Sequence, residues 1–218
     1  MSEKEAKMAV TCTEDGSIPQ WGDPRGGWGR VALALMAAKN GGNNNAALDS
    51  LQPQPGESIL EIGVGPGLAL KHVLRHVGRK GFVGGIDHSA LAAERTRRRL
   101  SRAIRDGRAQ VYEASVSDIP FKDEMFDGAF AVNSFQFWPD LASDLAEVAR
   151  VLRPKGRLVL TQRAANKDVK MDLAGAKGGW ARIDIGADAL PKAGFEVVEV
   201  TDRPVGRLVA ASIIARKI

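Results

Sequence analysis

An acid and three glycines at alternate positions, Glu61-Ile62-Gly63-Val64-Gly65-Pro66-Gly67, are the part of this 218-residue chain best suited to chemistry. An apolar, strand-like segment runs into Glu61, and a helix-like segment from Leu68 to Val77 follows the glycines. Glycine takes backbone conformations closed to other residues, so a ligand can lie directly on the main chain. The start of the next helix adds unpaired N–H groups and the positive end of a dipole. The turn is therefore suited to a polar ligand, and Glu61 to a cationic one. A dinucleotide fingerprint needs Gly-x-Gly-x-x-Gly or Ala. Gly63 and Gly65 comply, but Leu68 stands at the third position.

Such a turn works only if strands and helices hold it at the edge of a sheet. Hydrophobic patterning predicts strands over 58–61, 81–87, 109–113, 126–133, 156–161, 195–200 and 208–215. Helices are expected over 68–77, 89–105, 141–152 and 187–193. In 141–152, Leu141, Leu145, Val148 and Leu152 recur at helical spacing and form one buried stripe. Upstream, Arg30 to Lys39 reads as a helix ended by Gly41 and Gly42. Asn45 is expected to cap a second one through Leu51. Strand–helix alternation implies an α/β fold with a mostly parallel sheet covered on both faces.

In open α/β sheets ligands sit outside the carboxyl ends of the strands. Polar residues collect at four such ends. Glu61 ends the first strand, and Gly85-Ile86-Asp87 ends the second. Ser115-Val116-Ser117-Asp118-Ile119-Pro120-Phe121 follows the third, and Asn133-Ser134 ends the fourth. An acid in the position of Asp87 can accept both hydroxyls of a ribose.

Acid-x-Gly-x-Gly-x-Gly, the acid after strand two and the later motifs together resemble the class I S-adenosylmethionine (SAM) methyltransferases. The similarity is to the subgroup of the ubiquinone/menaquinone methyltransferases and spans roughly 43–162. Glu61 to Gly67 matches the first motif and Gly85-Ile86-Asp87 the ribose acid. Asp118-Ile119-Pro120-Phe121 is similar to the segment whose acid binds the adenine amino group and whose next residue offers an N–H. Phe126 to Asn133 resembles the strand-four motif. Leu145 to Leu158, with Glu147, Arg150 and Gly156, resembles the helix and strand-five signature.

The resemblance implies a Rossmann-like, seven-stranded sheet with an antiparallel final strand, and SAM as cofactor. It implies Glu61, Gly63, Gly65, Gly67, Asp87, His88, Asp118, Ile119 and Asn133 as cofactor-binding residues. Asp127 is expected to order the loop before strand four. The cofactor carries the chemistry in such enzymes, and the protein supplies orientation. No residue stands out as a general base. The one tyrosine, Tyr112, lies in a strand and reads as core. Ser134, Gln136 and Trp138 after strand four are substrate candidates, as are Trp21 and Trp28 upstream. Residues 1–50 are expected to form an N-terminal segment with a helical lid, and 51–218 the SAM-binding domain. The segment from Arg163 to Asp184 is a second candidate for the acceptor pocket. His72 and His76 sit four apart, but no third ligand is evident, so a surface pair is favoured over a metal site.

The net charge of +5 is carried by Glu94 to Arg108, where arginines 95, 97, 98, 99, 102, 105 and 108 face only Glu94 and Asp106. A solvated helix face is the favoured reading. No aromatic residue is interleaved to stack on bases, which weakens a nucleic-acid role. The single Cys12 leaves no internal disulfide. No signal peptide or ~20-residue apolar span is evident, so a cytoplasmic location is expected. The chain has no room for a large recognition domain, which favours a small-molecule acceptor. Three alternatives stay open: a SAM-binding protein without transferase activity, a methyltransferase acting on RNA, and a nicotinamide-dependent oxidoreductase.

Overall fold

The computed structural model describes Gly29, Leu33 and residues 40–165 and 179–218. Their elements are α1 (Gly41–Leu51), β1 (Ser58–Ile62), α2 (Leu68–Val77), β2 (Phe82–Asp87), α3 (Ala90–Arg99) and α4 (Ser101–Arg105). There follow β3 (Ala109–Glu113), β4 (Phe126–Val132), α5 (Leu141–Val151), β5 (Leu152–Ala165), α6 (Gly179–Ala189), β6 (Phe195–Val205) and β7 (Leu208–Lys217). Seven strands form one sheet in the order β3-β2-β1-β4-β5-β7-β6. β1 pairs parallel with β2 and β4, β2 with β3, and β4 with β5. Only β7 runs antiparallel, between β5 and β6. This is the expected α/β, Rossmann-like sheet.

Alternation along the strands feeds two cores, one on each face. Leu60, Ile62, Ile86, Phe126, Leu160 and Ile213 pack with Leu145 and Val148 of α5 and Ile183 of α6. Ile59, Val83, Phe130 and Val159 pack with Leu48 and Leu51 of α1 and Leu70 and Val73 of α2. Glu61 therefore shares the face of Ile59, under the glycine turn and α2. The order reverses at β1 and β4, and the crevice opens at their carboxyl ends.

Several boundaries differ from the sequence reading, each for a local reason. Gly41 and Gly42 begin a helix instead of ending one. A Cβ on Gly42 would lie 2.4 Å from Val205 Cγ1, so the glycine lets α1 start close against β6. Asn45 is consequently inside α1, whose N-cap is Asn40. Helix 89–105 breaks at the buried Leu100 into α3 and α4. The helix expected at 187–193 is instead α6, followed by a 3-10 turn over Leu190–Ala193 that contains Pro191. β5 and β6 are longer than expected because β7 pairs along both, and Gly206 at φ +62° turns the β6–β7 hairpin. Ala47, Leu48 and Leu51 of α1 belong to the core. The helix expected over 30–39 lies outside the described residues, apart from the buried Leu33.

Candidate cofactor site

The glycine turn joins β1 to α2. Gly63, Gly65 and Gly67 have φ of +82°, +48° and +71°, a region costly for residues with a side chain. Two of the positions are also walled in. A Cβ on Gly63 would meet Ser134 Cβ at 2.6 Å, and one on Gly67 would meet Thr96 Oγ1 at 2.5 Å. The N–H groups of Gly63 and Val64 donate to the Ile86 carbonyl at 2.9 and 3.1 Å. Thr96 Oγ1 donates to the Gly65 carbonyl at 3.2 Å. Ser134 Oγ donates to the Ile62 carbonyl at 2.8 Å. The turn is thus held from β2, α3 and the end of β4. Thr96, set among arginines, carried no sequence signal for this role.

Two acids flank the turn. Asp87 is 7% exposed at the carboxyl end of β2. Its Oδ2 accepts the Gly65 N–H at 2.8 Å and its Oδ1 the Ser89 N–H at 2.9 Å. Ser89, not Asp87, is the N-cap of α3. Glu61 is 4% exposed, and its Oε2 is buried without a hydrogen-bond partner among the described residues. Burial pushes its carboxyl well above the usual carboxylate range; the Leu70 N–H opposes this and the nearby Asp87 charge adds to it. His88 is exposed at the rim, its Nδ1 3.9 Å from Asp87 Oδ1.

The loop after β3 places Asp118 in the open and Ile119 in the core. The Ile119 N–H, expected to meet adenine, donates instead to Glu147 Oε1 at 2.8 Å. Arg150 completes the clasp. Its guanidinium donates to the Ile119 and Phe121 carbonyls at 2.8 and 3.0 Å and pairs with Glu147 and Asp123. Arg150 in turn holds Glu147 below its usual range. The helix signature thus locks the 119–123 loop to α5, a role that the i, i+3 spacing of Glu147 and Arg150 hints at without naming the target. Asp127 accepts the Ser58 N–H at 2.8 Å and pairs with Arg153, which orders the start of β4.

Asn133 leaves β4 at φ +52°, rare for a residue other than glycine. Its Oδ1 accepts the Arg163 N–H at 2.7 Å and Asn43 Nδ2 at 3.3 Å. Gln136 is half-buried, and its Nε2 reaches the Asn133 carbonyl at 3.4 Å. Trp138 is 7% exposed and packs edge-on to Phe135, so its ring is part of the core. Trp21 and Trp28 lie outside the described residues, as do 166–178 of the expected acceptor segment. His76 Nδ1 bonds the His72 carbonyl at 2.9 Å, and no cluster of three potential metal ligands occurs among the described residues.

The residues present suit SAM on their own terms. A buried carboxyl whose Oε2 has no partner among the described residues stands below a turn in which Gly63 and Gly67 leave no room for a side chain. A second carboxylate follows at the neighbouring strand end. A family model described as Methyltransferase domain matches residues 60–160. The uncharacterized methyltransferase YdaC of Bacillus subtilis (strain 168) is 24% identical over 86% of this chain and 98% of its own length. The O-methyltransferase cnsE of Penicillium expansum is 32% identical over 70% of this chain and 56% of its own. This chain thus spans nearly all of YdaC but about half of cnsE. A SAM-dependent methyltransferase from Aquifex aeolicus superposes with a TM-score of 0.71 at 18% identity, over 86% of this chain and 98% of that one. Among the described residues no helix is long and apolar enough to cross a membrane. With the glycine turn, the acid at the end of β2 and the sheet order in agreement, residues 60–160 of this chain form a SAM-dependent methyltransferase domain.

Proposed function

We propose that this protein transfers the methyl group of SAM to a small molecule by in-line displacement. The observation that carries the reading is the walled glycine turn with the unpartnered Glu61 oxygen beneath it. Gly63, Gly65 and Gly67 with Glu61 would hold the cationic amino-acid end. Asp87 would take the ribose: a carboxylate has about four acceptor sites, so its bonds to Gly65 and Ser89 are compatible with more. Asp118 would face adenine, whereas the Ile119 N–H is already engaged by Glu147. When bound, SAM supplies a methyl already activated by its sulfonium. The protein's share is orientation, which contributes up to ~7–11 kcal/mol in well-aligned model systems. Asn133, Ser134 and Gln136, beside the turn and at the end of β4, are the residues for the acceptor side. Relatives named for a naphthoquinone and a sterol support a small-molecule acceptor.

Titration calorimetry with SAM and with S-adenosylhomocysteine tests the cofactor assignment, and release of S-adenosylhomocysteine over an acceptor panel tests transfer. Asp87→Asn is expected to weaken SAM at least about tenfold, because an amide N–H would oppose one of the two donors now bonded there. Absence of heat from either ligand with folded protein would refute the assignment. Binding without turnover over the whole panel would favour a non-transferase role.

A further inference from the structure

A continuous chain of amides wraps the end of β4, and no cofactor atom is needed to explain it. Its members come from α1, β4, the turn after β4, and β5. Backbone groups fix the orientation of Asn133 and Gln136, and through them that of their neighbours. The Arg163 N–H makes Asn133 Oδ1 an acceptor, so Asn43 must present Nδ2 to it. Asn133 Nδ2 then points to Asn40 Oδ1 at 3.5 Å, which also accepts Arg163 Nη2 at 2.9 Å. On the other side, the Asn133 carbonyl makes Gln136 present Nε2. Gln136 Oε1 is then the acceptor for Gln162 Nε2 at 3.1 Å.

This order leaves one carbonyl oxygen unused at each end. Among the described residues Asn43 Oδ1 and Gln162 Oε1 are buried with no hydrogen-bond partner, and their residues are 0% and 3% exposed. Flipping either amide would break the chain, so neither orphan can be removed by reassignment. Buried polar atoms are nearly always paired, and one left alone costs about 1–3 kcal/mol. Two at one strand end, next to a left-handed Asn133, mark a place where strain is retained for use.

We propose that this amide cluster is the acceptor-recognition subsite, and that Asn43 Oδ1 and Gln162 Oε1 select a methyl acceptor that presents N–H or O–H donors. The inference rests on the cofactor reading above. It explains why both missing partners are donors: every oxygen in the cluster other than these two already receives a hydrogen. A site built to accept a substrate hydrogen bond discriminates against the analogue that lacks it, because its own oxygen then stays unpaired.

Saturation-transfer NMR on the S-adenosylhomocysteine-loaded protein tests this with matched probes: phenol against anisole, and indole against 1-methylindole. The donor-bearing probe of each pair is expected to bind about tenfold tighter, the worth of one such bond. Gln162→Met and Asn43→Leu, each close in volume to the original, are expected to abolish the preference while leaving S-adenosylhomocysteine affinity unchanged. Thermal melts of both variants establish folding, and either alone suffices. No preference in the parent, or a preference that survives in the folded variants, overturns the subsite. So does an equal loss of S-adenosylhomocysteine affinity, which would give the oxygens to the cofactor. Failure of the parent to bind S-adenosylhomocysteine would overturn the cofactor reading and the subsite together.

Discussion

Glu61 is a carboxyl that its surroundings drive away from the ionised form. Its carboxyl is buried beneath the turn, and burial raises its pKa well above the usual value. The unfolded chain releases this proton near pH ~4.3, whereas the folded protein retains it. Stability from this group is therefore complete below the unfolded pKa and is lost as pH rises through the folded one. Urea midpoints measured across pH are expected to show that decline in the parent and not in Glu61→Gln. Binding a cation against Glu61 would favour the ionised form and expel the proton. Calorimetry of SAM in buffers of different ionisation enthalpy is then expected to report proton release, absent in Glu61→Gln. Asp87 contrasts with it: two backbone donors hold its oxygens in place, so it fixes the turn as well as being the acid proposed to face a ribose.

At the scale of elements, the 119–123 loop depends on α5. Arg150 satisfies two loop carbonyls and Glu147 one loop N–H, so the loop cannot shift without breaking charged hydrogen bonds. Arg150→Ala is expected to lower stability by about 1.5–3 kcal/mol, read from chemical denaturation. SAM affinity should fall with it, since Asp118 rides on the same loop. The strands themselves were readable, because their apolar runs and polar carboxyl ends are local properties of the chain. The clasp was not, because Ile119 and Glu147 are 28 residues apart and nothing near Ile119 says that its N–H is taken. The start of α1 was misread for a similar reason. Gly42 looks like a helix breaker until Val205 is placed against it. Asn133 was legible as a strand-end polar residue, whereas its amide partners on α1 and β5 become neighbours only through the fold.

Across the whole molecule, both cores are anchored in one sheet, so damage on one face should be felt by all of it. Ile213 on β7 is fully buried and packs near Gly186 of α6. Ile213→Ala is expected to cost about 2–5 kcal/mol and to shift a single cooperative transition seen alike by tryptophan fluorescence and circular dichroism. Among the described residues, β6 finds its only strand neighbour in β7, which is also the sole link between β6 and β5. Translation delivers β6 before that link exists. A nascent chain still holding residues 208–217 in the ribosome would carry β6 as an orphan ribbon, and this part of the sheet can close only after those ten residues emerge.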